Sequence, residues 1–86
     1  MKKIGLSHNV NFIFLLDHAS QEINDQSMGE GVHQGTLQAL EFLSKKNMRT
    51  SIYLRLNKNN YDNIHQMHAL AEKYHAQLVP IEIFPF

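Results

Sequence analysis

Residues 51–57 read SIYLRLN, and apolar and polar side chains alternate strictly along them. Successive side chains of a β-strand point to opposite faces, so this alternation predicts a strand with one apolar and one polar face. The apolar face carries Ile52, Leu54 and Leu56. The polar face carries Ser51, Tyr53, Arg55 and Asn57. This is the clearest strand pattern in the chain, and the segments on either side of it indicate what it pairs with.

Two other segments predict strands before and after this one. Residues 11–17 (NFIFLLD) are apolar and aromatic-rich between polar neighbours, which predicts a short strand buried on both faces, as in a parallel sheet. Residues 78–84 (LVPIEIF) are apolar and rich in β-branched side chains, which also predicts a strand. Pro80 cannot donate a hydrogen bond to a neighbouring strand, so it indicates an edge strand or an early strand position.

Two amphipathic helices are predicted between these strands. The first runs from about His33 to Lys46, where apolar residues recur at the i, i+3, i+4, i+7 spacing. Asn47 is expected to end it, because asparagine tolerates the left-handed cap conformation. The second starts at Asn59 or Asn60, either of which is a good N-cap, and continues to about residue 74. Its apolar stripe consists of Ile64, Met67, His68, Ala71 and Tyr74.

The predicted fold is a single α/β domain spanning residues 1–86, with three parallel strands in the order βαβαβ, because helical crossovers join parallel strands. Residues 19–35 are polar and contain three glycines, which predicts a long loop before the first helix. Three parallel strands with both edges bare form an incomplete sheet. We therefore expect the chain either to be a fragment of a larger barrel or open sheet, or to complete its sheet by oligomerising.

Composition excludes several classes of function. Eight Lys and Arg balance eight Asp and Glu, and the local cluster Lys45, Lys46 and Arg49 is interpreted as the cationic end of a helix, so no nucleic-acid partner is predicted. The longest apolar run, residues 12–16, is far shorter than the roughly 20 residues that cross a bilayer, so a cytoplasmic location without membrane contact is expected. The chain contains no cysteine, which excludes disulfides, thiolate catalysis and cysteine-ligated metals.

Several short motifs occur in an order that resembles the radical S-adenosylmethionine (SAM) enzymes. The first strand closes with Phe14-Leu15-Leu16-Asp17, where the family has Ser-Leu-Asp, so Leu15 replaces the family's serine. The segments that follow in the same order are Glu22-Ile23-Asn24-Asp25, Gly29-Glu30-Gly31, Thr36–Leu40 with Phe42-Leu43, Ser51–Asn57, Lys58-Asn59-Asn60, Ile64–Tyr74 and Ile81–Pro85. The last of these is similar to a strand of the molybdenum-cofactor biosynthesis branch of that family.

The resemblance implies a (β/α)6 partial TIM-like barrel, of which this chain would supply about strands four to six. It also implies SAM as a possible cofactor, together with a [4Fe-4S] cluster ligated by a Cys-x3-Cys-x2-Cys loop. Nothing in this chain corresponds to that loop, so the cluster is not ligated here and radical generation by the chain alone is excluded. No catalytic residue is assigned, and the expected partner is a second copy of the chain or a missing barrel segment.

Candidate site residues follow from the polar faces of the strands, since ligand contacts in such barrels lie at the carboxyl ends of the strands, on the inner face. The residues placed on that face are Asp17, Tyr53, Arg55, Asn57 and Glu82. The family resemblance implies that Asp17, Arg55 and Asn57 seat the ribose or amino-acid end of SAM. Tyr53 and Glu82 are predicted substrate contacts, with a Glu82–Arg55 ion pair as an alternative role. A plain exposed face on an open sheet is the competing interpretation.

The histidines are weaker candidates. His65, His68 and His75 could place two imidazoles on one helical face, but two ligands do not make a metal site, so solvated or half-buried side chains are favoured. An acid–base pair of His18 with Asp17 is disfavoured, because adjacent residues of a strand point to opposite faces. The aromatic and methionine side chains expected in the core are Phe12, Phe14, Met67 and Tyr74.

Two functions remain open from the sequence. The first is a portion or remnant of a radical SAM enzyme that supplies strands facing SAM and substrate but lacks the iron-sulfur site. The second is a non-enzymatic α/β interaction module that self-associates through its open sheet edges. A receiver-like regulatory domain with Asp17 as phospho-acceptor is disfavoured, because the sequence offers neither an acidic pair nor a trailing lysine strand around that residue.

Overall fold

The computed structural model describes residues 10–58 and 60–82. Within them the chain forms three strands, three α-helices and one short 3₁₀ turn. In chain order the elements are β1 (Asn11–Leu15), α1 (Gln21–Met28), α2 (Val32–Lys45), β2 (Arg49–Leu56), the 3₁₀ turn (Tyr61–Asn63), α3 (Ile64–Lys73) and β3 (Gln77–Glu82).

The three strands form one parallel sheet in the order β1-β2-β3. Phe14 of β1 lies beside Ile52 of β2, which in turn lies beside Leu78 of β3. The α/β class and the three parallel strands in βαβαβ order are therefore confirmed. As Pro80 indicated, β3 pairs on one side only within the described residues, where it is an edge strand.

The core lies between the sheet and two of the helices. Ile52, Leu54 and Leu56 of β2 are buried against Leu40 of α2 and against α3. The α3 contribution consists of the buried side chains Met67 and Ala71. Phe14, Tyr74 and Leu78 pack partly buried against the same cluster. Helices α2 and α3 thus lie on the same side of the sheet, over the face of β2 that the alternating pattern predicted to be apolar.

The prediction that the first strand is buried on both faces is wrong. Strand β1 ends at Leu15, two residues earlier than expected, and Leu16 and Asp17 are buried beyond its end. Ile13 and Leu15 are 52% and 43% exposed, and Phe12, expected in the core, is 36% exposed. Among the described residues, β1 is an edge strand, and α2 and α3 cover only one of its faces.

The predicted loop over residues 19–35 is also largely wrong, because it contains helix α1 and the start of α2. Ser20 is the N-cap of α1, and its Oγ accepts from the Ile23 main-chain N at 3.5 Å. Glu22 in the first turn and Gly29 (φ 116°) after the last residue complete the signals of a short helix. The three glycines of the segment suggested a loop more strongly than these cap signals suggested a helix.

The prediction for the end of α2 agrees with the structure more closely than the prediction for the start of α3. Asn47 adopts φ 58° after α2, in the left-handed conformation predicted for it. Lys45 occupies the last turn and Lys46 the C-cap, consistent with a cationic helix end. Asn60 precedes the 3₁₀ turn rather than α3 itself, and its side chain does not cap either element. Residues 59 and 83–86, which include the second possible cap and the end of the predicted third strand, lie outside the described residues.

The face assigned to Glu82 is wrong. Glu82 lies beside Leu56, while Ile81 lies beside Arg55 and Val79 beside Tyr53. Laterally paired residues of parallel strands point to the same side of a sheet, so Glu82 is on the helix-covered side and Arg55 on the opposite side. Alternation within the third strand could not tell its two faces apart, since both contain apolar residues.

Candidate functional site

The carboxyl ends of β1 and β2 meet in an ion pair between Asp17 and Arg55. Arg55 Nη2 lies 2.6 Å from Asp17 Oδ2, and Arg55 Nε lies 3.2 Å from Asp17 Oδ1. The hydroxyl of Ser27 lies 3.4 Å from Asp17 Oδ2. The Asp17 side chain is 9% exposed and that of Arg55 41%, so the pair is half-buried. Asp17, through its hydrogen bond and its charge, raises the pKa of Arg55, which keeps the guanidinium charged.

Asn60 links the main chain of the two residues that form this pair. Its Nδ2 donates to the main-chain oxygens of Asp17 and Arg55, both at 2.8 Å. Its Oδ1 accepts from the Asn57 main-chain N at 2.9 Å. Asn60 is only 3% exposed, so these bonds are shielded from water. One buried amide therefore fixes where the main chain leaves β1 relative to where it leaves β2.

The turn after β1 is held by three further buried side chains. Asn24 Oδ1 accepts from the main-chain N of Asp17 at 2.7 Å and of His18 at 3.1 Å. Asn63 Oδ1 accepts from Ala19 N at 2.9 Å. His33 Nε2 lies 2.8 Å from Ala19 O, and a carbonyl only accepts, so this nitrogen carries the proton. Side chains from α1, α2 and the 3₁₀ turn thus hydrogen-bond to the main chain of residues 17–19.

Asp25 links α1 to α2 by capping the start of α2. Its Oδ1 accepts from His33 N and its Oδ2 from Gly31 N, each at 3.0 Å. The hydrogen bond from His33 N is the largest cause of a lowered pKa for Asp25, and it outweighs the opposing effect of partial burial. The carboxylate is therefore ionised at neutral pH and satisfies donors that a helix start otherwise leaves unpaired.

A cleft of about 430 Å³ opens at this end of the sheet. It is lined by Asp17, His18, Ile23, Gln26, Ser27, Asn57 and Asn60. Ligands of open and closed parallel sheets bind beyond the carboxyl ends of the strands, and clefts of this volume accept small molecules. Asn57 also contacts its own strand, with Nδ2 3.4 Å from Arg55 O. The structure thus brings the three predicted SAM-binding residues, Asp17, Arg55 and Asn57, to one end of the sheet.

The two predicted substrate contacts, Tyr53 and Glu82, do not line the cleft at the ends of β1 and β2. Glu82 lines a separate cleft of about 490 Å³ with Asn57, Lys58 and Tyr61. The alternative that Glu82 pairs with Arg55 is wrong, because the carboxylate partner of Arg55 is Asp17 and the register places Glu82 on the other side of the sheet. Tyr53 lies on the uncovered face of β2, beside Leu15 and Val79, and lines neither cleft.

The expectation that Asp17 and His18 point to opposite faces of a strand is also wrong. Strand β1 ends at Leu15, so Asp17 and His18 do not alternate as strand residues, and both line the cleft. They are not hydrogen-bonded to each other within the described residues, because His18 Nδ1 instead accepts from Ser20 N at 3.0 Å. His18 is therefore a cleft residue, but not half of an acid–base pair with Asp17.

The donor set of the chain does not fit the iron-sulfur cluster that the resemblance implies. The 86 residues include no cysteine, and three thiolates are required to hold such a cluster while leaving one iron free. His65, His68 and His75 are exposed on α3 and just after it. Within residues 10–58 and 60–82, no three His, Cys, Asp or Glu side chains lie close enough to hold a metal ion.

Sequence analysis missed the residues that build the site. The sequence assigns no site role to Asn63, to Asn24, which appears only in a motif of the resemblance, or to Asn60, which is predicted as a helix cap and also appears in such a motif. Gln26 and Ser27 were assigned to a loop. An amide that bonds main-chain groups up to 44 residues away leaves no local pattern in the sequence. A detectable signal was the helix start at Ser20, from which Gln26 and Ser27 could have been placed on a helix.

Comparison with protein-family models, with curated proteins and with solved structures found no match to this chain. The class that the fold and the cleft define is an α/β protein with one parallel sheet and a cleft at the carboxyl ends of its first two strands. Among the described residues, no helix combines the length and the apolar character needed to cross a membrane.

Proposed function

We propose that this chain is a SAM-binding portion of a radical SAM-type partial barrel, and that the cleft at the ends of β1 and β2 seats SAM. The observation that carries the proposal is the half-buried Asp17–Arg55 pair, held at the carboxyl ends of adjacent parallel strands by Asn60. The proposal also rests on the resemblance of the ordered motifs to that family.

The chemistry of the pair suits the ribose and amino-acid ends of SAM. A carboxylate oxygen accepts hydrogen bonds from ribose hydroxyls, and a guanidinium binds a carboxylate. Arg55 uses Nε and Nη2 for Asp17, while Nη1 takes no part in the pair. Because Asn60 and Ser27 already hold these groups in place, little ordering would be required when a ligand binds.

The arrangement of layers supports a barrel origin. Helices α2 and α3 cover one face of the sheet, while Ile13 and Leu15 remain exposed on the other. In a (β/α) barrel all helices lie outside, and the inner face of the strands is covered by the other strands. An open doubly wound sheet has helices on both faces, which this arrangement does not match.

The proposal is confined to ligand binding. Since the residues of this chain cannot ligate the cluster, no radical step is derived for it, and a partner would have to supply the thiolates. Tyr53 and Glu82 stay predicted substrate contacts. Their separation into the uncovered face and the second cleft means that a substrate touching both would have to extend across the sheet end.

The test is calorimetric titration of SAM into the purified chain and into variants of the pair. We expect saturable one-to-one binding that weakens at least about tenfold in Arg55→Lys, which keeps the charge but loses the two-point bond to Asp17. The matched control is Arg49→Lys, because Arg49 is exposed at the opposite end of the same strand. A thermal melt confirms that each variant is folded. A folded wild-type chain without saturable SAM binding at millimolar concentration would refute the proposal.

A second candidate function is self-association through β1. Ile13 and Leu15 on the uncovered face are about half-exposed, and strand edges readily pair with other chains. Light scattering distinguishes the two candidates. A dimer that ignores SAM and dissociates in Ile13→Lys would favour an interaction module, whereas a monomer that binds SAM would contradict it. Glu41→Lys, an exposed position on α2, is the matched charge control.

A further inference from the structure

One hydrogen bond shows which main-chain groups lie along the open edge of β1. Leu16 N donates to Tyr53 O at 3.2 Å. In a parallel ladder the main chain of alternate residues turns towards the same neighbour, so the even-numbered residues of β1 turn towards β2, as Leu16 does. The odd-numbered residues turn their N–H and C=O groups outwards, where no further strand lies among the described residues. These outward residues are Asn11, Ile13 and Leu15.

The open edge of β3, as the described residues form it, is interrupted in its middle. Tyr53 turns its main chain towards β1, so the next residue, Leu54, turns towards β3. The register places Pro80 beside Leu54, and a residue in that position turns its own main chain away from β2. Pro80 therefore lies on the outward side without an N–H, and Glu82 on the same side adds a charge. Both features disfavour pairing of this edge with another strand.

Strand β1 has neither of these protective features. Residues 11–15 contain no proline and no charged side chain. Phe12, Ile13 and Leu15 are 36%, 52% and 43% exposed. Phe12 lies on the same face as Phe14, which packs against the core, while the other two side chains lie on the opposite face. Uncharged apolar strand edges readily pair with another strand, so β1 is the edge at which the described sheet can grow.

We propose that the sheet grows by antiparallel pairing of β1 with β1 of a second copy of this chain, about a two-fold axis at Ile13. Such an axis, perpendicular to the sheet, keeps the helices of both copies on one side and uses the same surface of each copy. In this register Ile13 pairs with itself and Asn11 pairs with Leu15, with two main-chain hydrogen bonds in each pair. The inference rests on the second candidate function, self-association through β1, and adds the partner, the direction and the register.

The side chains of β1 are complementary to those of a second copy. Phe12 lies opposite Phe14 of the second copy, in a non-hydrogen-bonded pair whose Cα atoms are only about 4.5 Å apart. Aromatic pairs are among the favourable cross-strand contacts. The two-fold axis forms this pair twice, because a phenylalanine flanks Ile13 on each side. No like charges meet, since residues 11–15 are uncharged. The half-exposed Phe12 thus gains a packing partner that the single chain does not provide.

Disulfide trapping tests the register, and the chain suits this test because it contains no cysteine of its own. In Ile13→Cys the two thiols would lie opposite each other, with Cα atoms about 5.5 Å apart, which a disulfide can span. In Leu15→Cys the two positions would lie four residues apart along the strands, about 13 Å, which a disulfide cannot span. We expect Ile13→Cys to form a linked dimer at least about tenfold faster than Leu15→Cys, although both positions are exposed to a similar extent.

A mixture of Asn11→Cys and Leu15→Cys chains reads the register a second time. These two positions lie opposite each other in the proposed dimer, so the mixed disulfide should form at least about tenfold faster than either variant links to itself. Mass spectrometry distinguishes the mixed product from the self-linked ones. Fast self-linking of Leu15→Cys, or equal rates for all products, would overturn the proposed register.

Ile13→Pro tests the edge itself. The Ile13 N–H points away from β2, so proline removes the outward donor without removing a hydrogen bond of the β1–β2 ladder. We expect this variant to stay folded in a thermal melt and to dimerise at least about tenfold more weakly in sedimentation equilibrium. The matched control Ile13→Val keeps the N–H and should dimerise as the wild type does. Unchanged dimerisation of a folded Ile13→Pro would overturn the inference, and if that variant does not fold, the cysteine variants decide.

The outcomes separate this inference from the second candidate function. A dimer without fast cross-linking at position 13 would overturn the two-fold arrangement and leave self-association standing. A wild-type chain that stays monomeric at about 1 mM would overturn both. Open-ended oligomers would indicate pairing of β1 with β3 of the next copy and would also overturn the two-fold arrangement. None of these outcomes depends on whether SAM binds.

Discussion

Replacing Asn60 with alanine tests how the site is held together. The substitution removes two hydrogen bonds to main-chain oxygens at 2.8 Å and one from a main-chain N at 2.9 Å, in a side chain that is 3% exposed. Each such bond contributes about 1 kcal/mol net, so the expected loss in unfolding free energy is about 3 kcal/mol. At roughly 0.05–0.15 kcal/mol per residue, a chain of this length has about 4–13 kcal/mol in total.

The matched control is Asn63→Ala. Asn63 is also an asparagine with little exposure, at 8%, but among the described residues its side chain takes part in a single hydrogen bond, which Oδ1 accepts from Ala19 N at 2.9 Å. We expect Asn63→Ala to cost about 1 kcal/mol, a third of the Asn60 effect. The assay is urea unfolding followed by circular dichroism, with the free energy from linear extrapolation. For a chain of this size, the Asn60 variant should melt about 10–25 °C lower than wild type.

Asn60→Asp is a more specific test, because the aspartate side chain has nearly the same shape as the asparagine side chain. A carboxylate in this position has no donor and faces the carbonyl oxygens of Asp17 and Arg55, so it should be more destabilising than alanine at pH 7. Protonation restores one donor, so its deficit relative to wild type should shrink as the pH falls towards about 4. Equal costs for Asn60→Ala and Asn63→Ala, or a pH-independent deficit for Asn60→Asp, would refute the clamp role.

Three further outcomes are expected. The folded-state pKa of Asp25 is lowered, so its capping of α2 stabilises the chain above the unfolded pKa of about 3.9, and this stabilisation is lost as the pH falls through the folded pKa. Thermal melts of Asp25→Asn should therefore show less loss of stability below about pH 4 than melts of the wild type. An identical acid dependence of the two proteins would contradict this. Asn47 has a φ of 58°, so Asn47→Ala should lower the free energy of unfolding in urea by about 1 kcal/mol, while Asn47→Gly should leave it unchanged or raise it. Equal effects of the two substitutions would contradict a left-handed cap. The chain alone should form no 5′-deoxyadenosine from SAM after iron-sulfur reconstitution, since it has no thiolate ligands, and product detected by chromatography would overturn that expectation.

The elements with strong periodic patterns were predicted well. Residues 51–57 alternate in the sequence and form most of β2, and their apolar side chains are the centre of the core. Helix α2 begins one residue before and ends one residue before the predicted bounds. These predictions succeeded because the side-chain direction within a strand or helix repeats with a fixed period, whatever the element packs against.

The predictions that failed required knowledge of the surroundings of an element. An apolar run such as residues 11–17 predicts burial, but how much of it is buried depends on how many layers and neighbouring strands cover it, and Ile13 is 52% exposed. The face of Glu82 depended on the register between β2 and β3, in which Leu78 lies beside Ile52 and packs against the core. Neither fact is local to the segment concerned.

The sequence by itself determined the βαβαβ order, the parallel strands, the apolar face of β2, the left-handed end of α2 and the lack of any thiolate ligand. Only the tertiary structure decided which polar residues meet. Asp17 and Arg55 are 38 residues apart, and Asn60 bonds the main chain of Asp17 across 43 residues. The physical reason is that backbone periodicity acts over a few residues, whereas hydrogen bonds and ion pairs form wherever packing of the core brings distant groups within about 3 Å.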